Sequence, residues 1–133
     1  MKVLKILAIL LAVYVGIVVV FETLLGIVQP ANESTMVIVT EDDSGASHPR
    51  VVTLIENDGA RYVAVNHWPR AWYRYALARP DVSATIGGET ADYTAVPVEG
   101  GEYLEVDSAR PLGVVFRILT GFPPREFPRL DPV

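Results

Sequence analysis

Two hydrophobic patterns divide the chain. The first is continuous: from Ile6 to Phe21, ILAILLAVYVGIVVVF, sixteen positions pass without a charge. A helix built on them is apolar on every face, which suits lipid better than the surface of a small domain. Those residues rise only about 24 Å, but continuing to Val28 gives roughly 34 Å, enough for a hydrocarbon core of about 30 Å. Glu22 then lies in the last two turns, close to the interface, where a carboxylate is tolerated. Residues 1–29 therefore read as an N-terminal membrane-spanning or membrane-anchoring helix, and residues 30–133 as one domain. A cleaved signal peptide fits less well, because its apolar run is shorter and ends in a small-x-small site, where this chain has Ile27-Val28-Gln29. A buried core helix fits least, being too apolar for a domain of this size.

The second pattern is one of short β-branched runs separated by turn residues. TMVIVT (35–40), RVVTLIE (50–56) and RYVAV (61–65) predict three strands. Asn57-Asp58-Gly59 predicts a tight hairpin turn between the last two. The stretch NHWPRAWYRYALARP (66–80) holds both tryptophans and predicts a helix, with Pro69 in its first turn and Pro80 beyond its end. DVSATIG (81–87) and ETADYTAVPV (89–98) predict two more strands around Gly87-Gly88. YLEV (103–106) reads as a short strand after an EGGE loop, and ARPLGVVFRIL (109–119) as a helix capped by Asp107 or Ser108. The proline-rich tail suits an edge strand near Glu126 to Leu130. Five to six strands with two peripheral helices make the domain mainly β, a small and mostly antiparallel barrel.

Charge narrows the partners. Lys2 and Lys5 are the only lysines and precede the apolar run, so the positive-inside rule places the N-terminus in the cytoplasm and the domain outside. Beyond residue 29 the chain has nine arginines against fifteen acids, a net −6. Such a domain is a poor ligand for nucleic acid, whose affinity comes from neutralised phosphates. Without cysteine there is no disulfide, thiolate nucleophile or cysteine metal site.

Few residues suggest chemistry by themselves. Ser47 and His48 are sequence neighbours, which does not make a catalytic triad. The two histidines, His48 and His67, lack metal-ligand spacing. The SGASHPR loop (44–50) is more suggestive: backbone amides, His48 and Arg50 could form an anion clamp, against the plainer reading of a solvated hairpin loop whose Arg50 pairs with Glu41 or Asp42.

The loop ending in Pro49-Arg50, the NDGARYVAV hairpin (57–65) and PRAWYRYALARPDVSATIGGE (69–89) together resemble the deazaflavin-dependent nitroreductase and quinone reductase family. These are small split β-barrels, flavin-reductase-like in fold, that bind coenzyme F420. REFPRLDPV (125–133) is similar to the family's last strand. The resemblance implies a coenzyme site in which Arg50 contacts phosphate or the acidic tail, with Ser47 and His48 in the same loop. Val52, Thr53 and Leu54 match the stretch whose backbone lines the deazaflavin ring, and Trp72 and Tyr73 match the helix beside it. The family's loop lysine has no counterpart, since Gly45 stands there. NHWPR is shorter than the family's loop, so His67 and Trp68 fill space kept there for coenzyme or substrate. The implied activity is hydride transfer from reduced F420 to a lipophilic acceptor such as a quinone or nitro compound, beside the membrane and with a homodimer as one expected state. The implied coenzyme pool is cytoplasmic, opposite to the side that the lysines favour. The alternatives are an FMN-binding split barrel and a coenzyme-free accessory module that kept the barrel.

Overall fold

The computed structural model describes residues 1–28, 35–65 and 71–133. They divide into two compact units: α1 with residues 112–123, and the strands with the two remaining longer helices.

In the first unit, α1 (Lys2–Val28) follows the apolar run. It is long and apolar enough to cross a membrane, with a mean hydropathy of 2.9 over its best window and none of that window buried. The predicted helix over 109–119 is broken. Pro111 and Gly113 interrupt it, because proline restricts the residue before it to extended backbone. Only α4 (Val114–Leu119) remains of its second half.

The second unit is a closed barrel of six antiparallel strands: β1 (Thr35–Glu41), β2 (Ser47–Asn57), β3 (Ala60–Ala64), β4 (Asp81–Ile86), β5 (Glu89–Val96) and β6 (Arg129–Pro132). Around the barrel the order is β1-β2-β3-β6-β5-β4, with β4 returning to β1. Both predicted turns form. Asp58 and Gly59 have φ of 51° and 76°, and Gly87 and Gly88 have 59° and 84°. Two successive positive φ values give the turn whose twist matches a hairpin.

Two expectations are corrected. The tail is no edge strand: β6 pairs with β3 through Arg61↔Leu130 and with β5 through Ala95↔Leu130, and so closes the barrel. The Pro128 carbonyl accepts from the Val63 amide at 2.9 Å, whereas its ring nitrogen has no hydrogen to return, unlike Glu126, which exchanges both bonds with Val65. The segment read as a loop and a YLEV strand is helical, α3 (Gly100–Ala109). Four alternating residues are too few to separate the two periods. The helical spacing decides, because Tyr103 and Val106, three apart, both turn onto the outer apolar cluster of Ile55, Tyr62, Ala64, Val98 and Phe127.

The main core fills the barrel interior with Met36, Ile38, Val52, Val63, Val65, Val82, Ala84, Tyr93, Ala95 and Leu130. The predicted helix in 66–80 appears as α2 (Ala71–Ala78), whose Trp72 and Ala76, four apart, are buried in the same core.

Candidate functional site

The candidate site lies where the β1–β2 loop, the first half of β2 and α2 meet. Strand β2 changes partner along its length. Ser47 to Thr53 pair with β1, while Thr53 to Asn57 pair with β3. Among the described residues, no strand therefore pairs with the second edge of Ser47–Val52. A run of backbone donors and acceptors is left there without a ladder, and such groups require a partner of some kind.

Side chains on this half-strand follow the pleat. His48, Arg50 and Val52 stand opposite Thr40, Ile38 and Met36, and directly opposed residues share a face. Since Met36 and Ile38 belong to the barrel core, this face points inward. Arg50 is half-buried, with its Nη2 nitrogen shielded from solvent. Thr40 is 0% exposed, and its hydroxyl has no hydrogen-bond partner among the described residues. A buried hydroxyl in that state marks a place where a polar group of a ligand or water is wanted.

The loop is organised around Asp42. Its Oδ1 accepts from the Ser44 amide at 2.9 Å, the Ser44 hydroxyl at 2.6 Å and the Ala46 amide at 3.1 Å. Its Oδ2 lies 2.7 Å from His48 Nε2. The hydrogen bond to His48 first, then those to Ser44 and the two amides, hold the Asp42 carboxyl well below the usual carboxylate range. The imidazole ring also lies against Tyr75 of α2, with centroids 5.0 Å apart and planes tilted by 32°. Arg79, just past α2, donates to the Asp43 carbonyl at 3.1 Å.

The sequence-predicted residues fall into three groups. His48 and Arg50 share the inward face, and Ser47, exposed at the start of β2, lines an open cleft of about 550 Å³ with Val39, Ser83, Tyr93 and three carboxylates, Glu41, Asp81 and Asp92. Val52 and Trp72 are core residues at 5% and 6% exposure. Leu54 and Tyr73 pack against that core, Tyr73 edge-on to Trp72 at 5.9 Å, and Thr53 sits half-buried where β2 changes partner. His67 and the neighbouring Trp68 lie outside the described residues.

Sequence reasoning passed over Tyr75 and Thr40, and named Asp42 only as a partner for Arg50 and not for His48. Asp42 had a signal, because an Asp two residues before a Ser commonly closes a turn on its own backbone. Tyr75 had one in its position three residues after Trp72, on the adjoining helix face. Thr40 had none, since a threonine at a strand end is ordinary.

This closed six-stranded barrel with attached helices is that of the flavin-reductase-like split barrels. No protein-family profile and no curated protein matches the chain. Solved structures do. HutZ, the heme storage protein from Vibrio cholerae, is 21% identical with a TM-score of 0.58, covering 77% of this chain and 83% of that one. An F420-H2-dependent reductase, FDR-A, is 20% identical with a TM-score of 0.57, covering 76% and 96%. An FAD-binding protein from Mesorhizobium loti is 16% identical with a TM-score of 0.52, covering 79% and 82%. Identities this low establish the shared fold and nothing narrower.

Proposed function

We propose that this chain is a membrane-anchored oxidoreductase whose barrel takes a flavin-type coenzyme, deazaflavin F420 ahead of FMN, and serves a lipophilic quinone or nitro-type acceptor. The observation that carries this reading is the edge of Ser47–Val52 that no strand pairs among the described residues. It offers main-chain groups to a flat heterocycle, beside the half-buried guanidinium of Arg50 and the unpartnered hydroxyl of Thr40. The sequence resemblance and the fold shared with an F420-H2-dependent reductase point the same way.

The residues fit such a group in part. Arg50 suits a phosphate or carboxylate, since its planar fork pairs with either. The Ser44 and Ala46 amides do not, because Asp42 already fills them. The cleft beside Ser47 does not suit an anion either, lined as it is by Glu41, Asp81 and Asp92. When bound, the coenzyme supplies the hydride, and the acceptor takes it together with a solvent proton. The protein's part is to orient and to exclude water. Trp72 lies in the barrel core with Tyr73 packed against it, and Asp42 holds the His48 ring, which lies against Tyr75. A membrane anchor keeps the domain near a lipid-dissolved acceptor.

The test is a fluorescence titration of the full chain in detergent with reduced F420. Saturable binding in the micromolar range is expected, with a loss of about tenfold or more, roughly 1.4 kcal/mol, in Arg50→Ala. Absence of saturation for the wild-type chain at roughly 100 µM, an affinity weaker than about −5.5 kcal/mol, would sink the proposal. The occupied amides of the loop favour a second reading, a coenzyme-free accessory module. A colourless chain that binds neither F420 nor FMN would establish it.

A further inference from the structure

Helix α4 leaves most of its side chains uncovered. Val114 and Val115 are each 70% exposed, Ile118 43% and Phe122, just beyond the helix, 58%. In water this is an unfavourable surface for so short a segment.

Its packing shows where the segment belongs. The Tyr14 hydroxyl of α1 donates to the Ile118 carbonyl at 2.8 Å. The Phe21 ring meets the Phe116 ring edge-on at 6.0 Å. A Cβ on Gly121 would come within 3.2 Å of Val18 Cγ1, so the chain passes close against α1 there. Tyr14, Val18 and Phe21 are spaced i, i+4, i+7 and form one stripe on α1. All three lie inside the Lys2–Leu25 stretch that is long and apolar enough to cross a membrane.

The backbone agrees. The Gly113 carbonyl accepts from the Arg117 amide at 3.1 Å, Phe116 from Thr120 at 3.0 Å, Arg117 from Phe122 at 2.9 Å and Ile118 from Gly121 at 3.3 Å. The Thr120 hydroxyl, in a residue 0% exposed, adds a bond to the Phe116 carbonyl at 2.9 Å. This is the common Schellman-type closure of a helix end, and it leaves the last carbonyls satisfied in hydrocarbon as well as in water. The one charged side chain, Arg117, is exposed and on a stem long enough to reach headgroups from a shallow depth.

We propose that the segment 111–123 is a second membrane element, an apolar hairpin that dips into the leaflet beside the C-terminal half of α1. This rests on reading α1 as seated in a bilayer. If Glu22 marks the interface, the stripe from Phe21 to Tyr14 descends about 10 Å, the depth of interfacial insertion.

The cysteine-free sequence makes the test direct. Single-cysteine variants of the full chain carry an environment-sensitive fluorophore in phosphatidylcholine and phosphatidylglycerol vesicles: Val115→Cys and Phe122→Cys on the hairpin, Leu7→Cys on α1 and Ser108→Cys on α3. Emission is read with doxyl-labelled lipids and with aqueous iodide. The expected result is that both hairpin positions lose roughly half their emission to shallow doxyl groups and little to iodide, with the reverse at position 108. Hairpin labels quenched by iodide and not by lipid, with position 7 quenched by lipid, overturn the proposal and leave the α1 reading intact. A position 7 label insensitive to lipid removes the α1 reading, and the proposal with it. Hairpin labels shielded from both quenchers indicate cover by protein, such as a second copy of the chain, and also overturn it. The second hairpin position keeps the test valid if one variant fails to insert.

Discussion

Asp42 is the most heavily used side chain of the β1–β2 loop, and its four hydrogen bonds all favour the ionised form. A carboxyl held below its unfolded value of about 3.9 contributes stability above that pH and loses it as pH falls toward the folded value. The thermal unfolding midpoint of the detergent-solubilised chain should therefore fall as pH is lowered through about 4. In Asp42→Asn the midpoint is lower at pH 7 and declines less with acid; an unchanged acid slope would show that Asp42 contributes nothing to it. Glu102 and Asp131 add to the wild-type slope in the same direction, each lowered chiefly by its hydrogen bond to Arg129. At this scale the sequence was uneven. Arg50 and His48 were legible as polar side chains at the start of a strand, although both stand inside β2. That His48 would be taken by Asp42 was not, because the partner is chosen by the turn that Asp42 itself closes.

Turns and helix breaks explain which elements could be foreseen. Gly87 and Gly88 adopt φ of 59° and 84°, and no atom lies within 4 Å of the Cβ that either would carry. Substitution is therefore limited by backbone conformation and not by space. Gly88→Ala should destabilise the barrel by about 1–2 kcal/mol, whereas Gly101→Ala, inside α3 and without a positive φ, should be neutral or mildly stabilising. Chemical denaturation of the two variants separates these outcomes, and equal effects would refute the conformational argument. The same residues made both hairpins readable, since paired positive-φ formers between β-branched runs have few other uses. The α3 segment was not readable. Its helix is stabilised from outside, by Val106 and Tyr103 on the outer cluster and by Glu102, which accepts from Tyr62 at 2.8 Å and Arg129 at 2.7 Å. None of those contacts is local in sequence.

For the whole molecule, barrel closure depends on the shortest strand. Leu130 of β6 is 2% exposed in the main core and, like Arg129 beside it, pairs with both β3 and β5. Leu130→Ala should cost about 2–5 kcal/mol. Hydrogen exchange should show lost protection in β3 and β5 together, because the two lose their common neighbour; loss in one alone would mean that closure is not cooperative. Composition and strand spacing announced a small barrel, and the resemblance named its type. The closing position of the tail could not be read from its prolines, which are equally consistent with an edge. It is decided by long-range pairing, to which local pattern is blind.

That late closing strand also sets an order of events during synthesis. Helix α1 ends at Val28 and β6 begins at Arg129, so about a hundred residues separate the first helix from the strand that completes the sheet. At roughly 5–20 residues per second, α1 leaves the ribosome some 5–20 s before β6 does. During that interval the edges of β3 and β5 have no strand between them, and exposed edges invite pairing with other chains. If α1 is seated in a bilayer as proposed, a nascent chain held there would meet fewer of its own copies than one free in solution. On that reading the anchor would act as a chaperone in cis, separating half-built barrels until each can close on itself.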